Sequence, residues 1–204
     1  IDLCTKDTSS IVGGIIPQYE SNSIIRNSTY LIAEIDESDG TISKYKPYLG
    51  IINNIDFDHC DYYSNVKELI SSFNEFGSNS NILLTNDDCK ITTENIVSDY
   101  KCSIKKTTSV DFAMIPKKFY PEYTIADYYE KGEAITTLTI PIPGIHNLSN
   151  ITAAISACRI INIDINCILK NIQFLQLPRK RFDLRGEILG RTIIDDYGHH
   201  PNEI

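Results

Sequence analysis

Carboxylates are crowded directly after a short apolar run near the start of the chain. The run Tyr30–Ala33 is followed by Glu34-Ile35-Asp36-Glu37-Ser38-Asp39, which places four carboxylates within six residues. Such groups repel one another unless a cation or a basic group lies among them. Oxygen ligands at the end of a buried strand suit Mg²⁺, which proteins usually hold with one or two carboxylates plus substrate phosphates. A solvated acidic loop is the alternative interpretation.

Two further segments combine histidine with acids or amides. Asn53-Asn54-Ile55-Asp56-Phe57-Asp58-His59 follows a second apolar run, and Asp195-Asp196-Tyr197-Gly198-His199-His200-Pro201 lies near the end of the chain. A neutral imidazole beside carboxylates can ligate a metal, and a protonated one can pair with them. If the strands before Glu34 and His59 run parallel in one sheet, both side chains reach the same edge. Taken alone, His59 is equally compatible with a loop residue, and the second cluster with a transition-metal site or substrate contacts.

A Pro-Gly turn and a basic run add two candidate binding segments. Pro143-Gly144-Ile145-His146-Asn147-Leu148-Ser149-Asn150 opens a helical pattern. Backbone N–H groups at a helix start and asparagine amides, which both donate and accept, suit a nucleobase edge. Helix capping by Asn147 or Ser149 is the alternative. A dense basic run in this acidic chain is Arg179-Lys180-Arg181-Phe182-Asp183. Its guanidinium groups fit phosphate oxygens, so we favour phosphate contact over the alternative of a solvated surface patch.

The elements that must position these residues follow from hydrophobic spacing. Short apolar runs typical of buried strands lie at residues 30–33, 49–55 and 81–85. Helical spacing of apolar side chains occurs at residues 65–76, 147–161 and 164–175. Asn86-Asp87-Asp88 can cap the helix that follows it.

Residues 101–142 alternate and contain a Lys131-Gly132 turn, which predicts a small antiparallel region with strands at 125–129 and 134–140. Residues 182–194 predict a strand or a hairpin. The alternation of strands and helices predicts an α/β fold with a mostly parallel central sheet flanked by helices.

Composition excludes several classes of protein. The net charge of −8 and the pI near 5.0 argue against nucleic acid as the main partner, because phosphate backbones require a basic face. No apolar run approaches the roughly 20 residues of a membrane helix, so we expect no membrane insertion. The six cysteines are scattered without a C-x-x-C pair, as in a reduced, cytoplasmic protein.

In order and spacing, five runs resemble the Mur ligase family, the ATP-dependent amide ligases of peptidoglycan precursor synthesis. They are YLIAEIDESDG, NNIDFDH, PGIHNLSNITAA, KRFD and DDYGHHPNE, and the resemblance extends from about Ile11 to Ile204. Within the family, DESD and DYGHHP are typical of the branch that adds L-alanine to UDP-N-acetylmuramate. The resemblance implies an incomplete central-domain-like fold, with residues 1–190 as the ATP-binding central domain and residues 191–204 as the junction into a C-terminal domain.

The same resemblance implies roles for individual residues, with ATP and Mg²⁺ as cofactors. Magnesium binding falls to Glu34 and His59. The nucleotide would be bound by His146, Asn147, Asn150, Arg181 and Asp196. The residues next to the reacting groups would be His59, Arg181 and His199. Contacts to the other substrates, UDP-N-acetylmuramate and L-alanine, would come from Gly13, Gly14, Asp36, Glu37 and His200.

Two family features do not occur among these residues: the G-x-x-G-K-T phosphate loop and the C-terminal domain that takes the amino acid. We therefore expect a chain truncated at both ends that does not ligate by itself. Three rival hypotheses stay open at this point. They are the recycling ligase of the same family, which attaches a preformed peptide, a metal-dependent hydrolase, and a non-catalytic nucleotide-binding module.

Overall fold

The computed structural model describes residues 1–57 and 62–198. The strands are β1 (Thr8–Ile16), β2 (Ser21–Ile24), β3 (Tyr30–Ala33), β4 (Leu49–Ile52), β5 (Ile82–Asn86), β6 (Tyr100–Ser103), β7 (Phe112–Phe119), β8 (Thr124–Glu130), β9 (Glu133–Ile140), β10 (Asp183–Ile188) and β11 (Arg191–Asp195). The helices are α1 (Asp2–Thr5), α2 (Val66–Asn79), α3 (Lys90–Asn95), α4 (Ile145–Ile160) and α5 (Ile165–Asn171). The predicted alternation of strands and helices is confirmed.

The largest sheet has the strand order β4-β5-β6-β7-β8-β9. Strands β4 to β7 pair in parallel, and β8 and β9 are added antiparallel beside β7. The β8–β9 hairpin turns at Lys131 and Gly132, whose φ angles of 49° and 85° are both positive, as a two-residue type I′ turn requires. The predicted α/β class with its small antiparallel region is confirmed, and the antiparallel strands extend the parallel sheet.

Helix α2 illustrates how local sequence determines an element. The side chain of Asn65 caps it by accepting hydrogen bonds from the backbone N–H groups of Lys67 and Glu68, at 3.0 and 3.2 Å. Leu69, Phe73 and Phe76 lie on the buried face, as the helical spacing predicts. They join a core cluster of buried side chains, completed by Ile42, Ile52, Ile55, Tyr63, Leu83 and Ile96.

Helix α4 lies against β4, β5, β6 and β7 and is buried over most of its surface. Its buried Thr152 and Ser156 hydroxyls each donate to the carbonyl four residues earlier at 2.7 Å, which satisfies them inside the core. Near its end, the Arg159 guanidinium donates to both carboxylate oxygens of Glu130 in β8, at 2.6 and 3.3 Å. This bidentate pair ties the end of the helix to the antiparallel part of the sheet.

The chain separates into two compact units. The larger unit, Ile35–Gln173, contains the six-stranded sheet and its helices. The smaller unit combines Ile1–Glu34 with Phe174–Ile204 and contains a sheet of order β2-β1-β3 and the β10–β11 hairpin. In the three-stranded sheet, β1 runs antiparallel to β2 and parallel to β3. The strand before Glu34 and the strand before residues 53–57 therefore belong to different sheets.

Several sequence-based assignments differ from the structure. Strand β4 ends at Ile52, three residues before the predicted end, and the predicted helix 164–175 ends as α-helix at Asn171. Asn86-Asp87-Asp88 does not cap α3, because that helix begins at Lys90 with Cys89 at its N-cap position and no side-chain cap bond. The proposed domain boundary at 190/191 falls in the turn of the β10–β11 hairpin and stays a prediction.

None of the helices in the described part of the chain is long and apolar enough to span a membrane.

Candidate functional site

Glu34 lies where β3 ends and is held against β1. Its backbone N–H donates to the Ile11 carbonyl at 2.9 Å, which is part of the last parallel pair, Ile11 with Ala33. Its carboxylate Oε2 accepts a 2.6 Å hydrogen bond from the backbone N–H of Gly13. A Cβ on Gly13 would lie 3.3 Å from that oxygen, so the small residue permits the close approach. The structure thus brings together a predicted metal ligand and a predicted substrate residue.

Arg181 and Asp196 meet in the C-terminal part of the smaller unit. The Asp196 carboxylate accepts hydrogen bonds from the backbone N–H groups of Gly198 and Phe182, both at 2.7 Å. These bonds hold the pKa of Asp196 below its ordinary value, with the larger effect from Gly198 and the next from Phe182. The positive charge of Arg181 lowers the pKa further. The backbone N–H of Tyr197 also donates to the Lys180 carbonyl at 2.8 Å. Asp196 is therefore anionic at neutral pH and joins the basic run to the end of β11.

The same unit links the glycine pair to the basic run. A Cβ on Gly14 would lie only 2.9 Å from Cβ of Pro178, so Gly14 accommodates the chain that leads into the run. The backbone N–H of Arg179 donates to the Ile15 carbonyl at 3.0 Å. Gly13, Gly14 and the start of the basic run consequently lie along the last part of β1.

The acidic loop after Glu34 folds onto itself within the larger unit. Asp36 Oδ1 accepts from the backbone N–H of Ser38 at 2.8 Å, and the Glu37 carbonyl accepts from the Tyr63 hydroxyl at 3.0 Å. The hydroxyl and backbone N–H of Thr41 both donate to Asp39, and these bonds lower the pKa of that carboxyl. The predicted substrate residues Asp36 and Glu37 thus belong to an ordered loop.

The predicted nucleobase segment forms the start of α4. Gly144 precedes the helix with a φ of 96°, a conformation that favours glycine, and no side chain caps this end. Asn147 does not act as an N-cap: its Nδ2 donates to the Pro143 carbonyl at 2.8 Å. Ser149 does not cap either, because its hydroxyl is the partner of Asn86 Nδ2 at 3.2 Å. The capping interpretation is therefore wrong, and the exposed side chains of His146 and Asn150 stand on the first turn and at the start of the second.

Sequence reasoning missed the polar cluster at the carboxyl ends of β5 and β6. Asp87, whose side chain is 3% exposed, pairs with the ammonium groups of Lys101 at 2.9 Å and of Lys106. Burial acts to raise the pKa of Asp87, but the hydrogen bonds from Lys106 and Lys101 together outweigh it and hold the pKa below its ordinary value.

Next to this pair, the Asp88 carboxylate accepts from the Ser103 hydroxyl and the Ile104 N–H, both at 2.7 Å. Three short polar residues directly after a buried strand are the signal that could have indicated a strand-end cluster.

His59, His199 and His200 lie outside the described residues, so their predicted roles stay predictions. Within residues 1–57 and 62–198, no group of three or more His, Cys, Asp and Glu side chains is arranged to hold a metal ion. A site made of one or two carboxylates and substrate phosphates needs no such group, and the Glu34 carboxylate fits that kind of Mg²⁺ site because it is exposed and oriented by Gly13.

The sequence of this chain is similar to those of known ligases. The chain is 55% identical over all 204 residues to the UDP-N-acetylmuramate–L-alanine ligase of Prochlorococcus marinus subsp. pastoris and covers 43% of that protein. The chain thus spans less than half the length of this curated relative.

Two solved structures share the fold. The UDP-N-acetylmuramate–alanine ligase MurC of Thermotoga maritima superposes with a TM-score of 0.86 at 23% identity, over 99% of this chain and 46% of that one. The MurF ligase of the same organism, in complex with ADP, gives a TM-score of 0.75 at 16% identity, over 99% of this chain and 50% of that one. The family model for the Mur ligase middle domain matches residues 17–158. This chain therefore belongs to the Mur ligase family.

Proposed function

We propose that this chain is part of an ATP-dependent ligase that joins L-alanine to UDP-N-acetylmuramate. The observation that carries the proposal is the 55% identity, over every residue of the chain, to a ligase named for that reaction. The smaller unit supports it, because the glycine pair, Glu34, Arg181 and Asp196 all lie within that unit. The scattered cysteines support a cytoplasmic location.

The nucleotide-binding residues implied by the family resemblance are proposed to contact ATP. In the larger unit, the start of α4 offers His146, Asn147 and Asn150 to the adenine, where helix N–H groups and amides can meet the edge of the base. In the smaller unit, Arg181 would contact the terminal phosphates, and Asp196 would accept from a ribose hydroxyl. Asp196 is suited to this role because it is kept anionic by its backbone bonds.

Glu34, with His59 as the second predicted ligand, would hold Mg²⁺. A divalent ion bound there would offset the negative charges of the γ-phosphate and of the muramoyl carboxylate, which otherwise repel each other. The bond from Gly13 fixes the orientation of the Glu34 carboxylate. The role of Gly13 would be to orient Glu34 as a ligand of the metal ion.

The reaction proposed for the whole protein needs no covalent protein nucleophile. The muramoyl carboxylate attacks the γ-phosphorus of ATP and ADP leaves, which forms an acyl phosphate. The amine of L-alanine then adds to the acyl carbon, and the tetrahedral intermediate expels phosphate. The protein supplies positioning and charge neutralisation, through Gly13, Gly14, Asp36, Glu37 and Arg181, with His59, His199 and His200 as further predicted contacts.

A chimera tests the proposal directly. In it, residues 1–204 replace the matching segment of the Prochlorococcus marinus subsp. pastoris ligase, which aligns over the whole chain. We expect the chimera to form ADP only when UDP-N-acetylmuramate, L-alanine and Mg²⁺ are all present. The isolated 204 residues, which lack a G-x-x-G-K-T loop, should form none.

Three outcomes would contradict the proposal. A chimera without L-alanine-dependent turnover would overturn it. Turnover with a preformed tripeptide in preference to L-alanine would favour the recycling ligase. Stoichiometric zinc in the purified protein together with hydrolysis would favour the metal-dependent hydrolase.

A further inference from the structure

Asn86 is the last residue of β5 and is held in place by its backbone and its amide. Strand β5 lies between β4 and β6 in the large sheet, and Asn86 stands opposite Cys102 of β6. Its side-chain Oδ1 accepts the backbone N–H of Asp88 at 3.0 Å. This bond orients the amide so that its NH₂ group is the end that reaches α4. There, Nδ2 donates to the hydroxyl of Ser149 at 3.2 Å.

The first turn of α4 has little apolar packing to hold it. Ile145 is 47% exposed and His146 is exposed, and the first fully buried side chain of the helix is Leu148. Polar bonds therefore act together with the buried Leu148 to hold this turn against the sheet. Within the turn, the amide of Asn147 donates to the Pro143 carbonyl. From the sheet, the amide of Asn86 donates to the Ser149 hydroxyl.

The Asn86 bond is the end of a longer chain of hydrogen bonds. Ser103 in β6 donates to Asp88 at 2.7 Å, Asp88 donates its backbone N–H to Asn86, and Asn86 donates to Ser149. The chain connects β6, β5 and α4 across the carboxyl end of the sheet. Residue Ser149 stands between Asn147 and Asn150, two of the predicted adenine contacts. A displacement at Ser149 would move both amides.

We infer that Asn86 is a positioning residue that fixes the adenine-binding turn through Ser149. The inference rests on the proposed function, since it assumes that the start of α4 receives the nucleobase. Asn86 acts on affinity because a base edge tolerates only small errors in the placement of its donors and acceptors. It acts through Ser149 and makes no contact with reacting groups, so the rate of the chemical steps is unaffected.

The test is a double-mutant cycle in the chimera, with ADP affinity measured by calorimetry. Asn86→Ala and Ser149→Ala should each weaken ADP binding by roughly threefold to tenfold, the range expected for one hydrogen bond. The double variant should bind ADP no more weakly than Asn86→Ala alone, because the bond that Ser149→Ala removes is already lost in Asn86→Ala. The KM for ATP should rise in parallel, with kcat within about twofold of the parent.

Asn79→Ala is the matched control. Its amide, like that of Asn86, donates a hydrogen bond within the larger unit, here to the Ser43 carbonyl at 2.7 Å, but Asn79 lies on α2. It should lower the unfolding temperature to a similar extent as Asn86→Ala and leave ADP affinity unchanged.

Two results would overturn the inference while the proposed function stands. The first is unchanged ADP affinity in Asn86→Ala or in Ser149→Ala, and the second is additive losses in the double variant. If the parent chimera itself binds no ADP, the proposed function fails and this inference fails with it.

Discussion

The backbone N–H of Gly13 and the carboxylate of Glu34, 21 residues apart in sequence, are joined by a 2.6 Å hydrogen bond. Parallel pairing of β1 with β3 makes this contact possible, since Ile11 stands opposite Ala33 at the end of the ladder. The position of the carboxylate is consequently set by both strands. A residue predicted to bind a cation and one predicted to contact substrate form a single structural unit.

Replacing Glu34 should abolish activity and leave the fold intact. In the chimera, Glu34→Gln keeps an oxygen that can accept from Gly13 but removes the charge, and Glu34→Ala removes both. We expect both variants to lose about a hundredfold or more in turnover, as for other groups that stabilise charge in a transition state. Thermal unfolding should shift by no more than a few degrees, because the side chain is exposed. Near-parental turnover in Glu34→Gln would exclude a charge-dependent role.

The two adjacent glycines should respond differently to alanine. Gly14→Ala places a Cβ 2.9 Å from Cβ of Pro178, a rigid neighbour, so we expect about 1–3 kcal/mol of destabilisation. Gly13→Ala meets the movable carboxylate of Glu34 at 3.3 Å, so we expect a small change in stability and a loss of activity of about tenfold. Urea unfolding midpoints and ADP formation in the chimera measure the two effects. Equal stability of the two variants would contradict the packing argument.

Asp87 should make the protein sensitive to acid. Its pKa is lowered in the folded state, so its contribution to stability is fully present above the unfolded pKa, about 3.9, and is lost as pH falls through the folded value. Asp87→Asn should destabilise the chimera by about 1–3 kcal/mol at pH 7, because two ammonium groups lose their partner. The difference from the parent should stay constant from pH 7 to pH 5 and shrink below about pH 4.

Urea unfolding midpoints at several pH values check the Asp87 prediction. Glu75→Gln, on the exposed face of α2, serves as the control and should shift the midpoint little at any pH. A parent-to-variant difference that persists unchanged to low pH would show that the Asp87 carboxylate does not stabilise the fold through its charge.

Asn150→Ala should weaken nucleotide binding without affecting stability. The side chain is exposed on α4, so its removal leaves the core unchanged, while the proposed adenine contact is lost. We expect ADP affinity of the chimera to fall by about threefold to tenfold. Asn74→Ala, another exposed asparagine on a helix, is the matched control and should bind ADP as the parent does. Unchanged affinity in Asn150→Ala would remove this residue from the adenine site.

Local signals predicted the elements of the fold well. Leu69, Phe73 and Phe76 recur at helical spacing because one face of α2 meets the core, and Lys131-Gly132 is a turn whose backbone conformation glycine favours. Helical spacing and turn residues can be recognised from a few neighbouring residues of the sequence. The family of the chain was likewise recognisable from its five runs.

The contacts that build the site are of a different kind. Asp87 reaches Lys101 and Lys106, and Asn86 reaches Ser149 at a separation of 63 residues. No local periodicity encodes such pairs, because they arise when separate strands and helices come together. The local pattern of Asn86-Asp87-Asp88 instead predicts a helix cap, which the structure does not contain. The premise that Glu34 and His59 follow parallel strands of one sheet is wrong, because β3 and β4 belong to different sheets. Their shared magnesium site stays a prediction, since His59 lies outside the described residues.

Strand β7 pairs in parallel with β6 and antiparallel with β8, so the polypeptide must complete two successive hairpins before it reaches Pro143. Sequence-distant pairings of this type form slowly compared with a single helix. A nascent chain that has just emerged as far as Ile140 would already contain all strands of the large sheet but not α4, where the adenine contacts are proposed. Under the proposed function, a nucleotide could therefore stabilise only copies of the chain in which α4 has already formed.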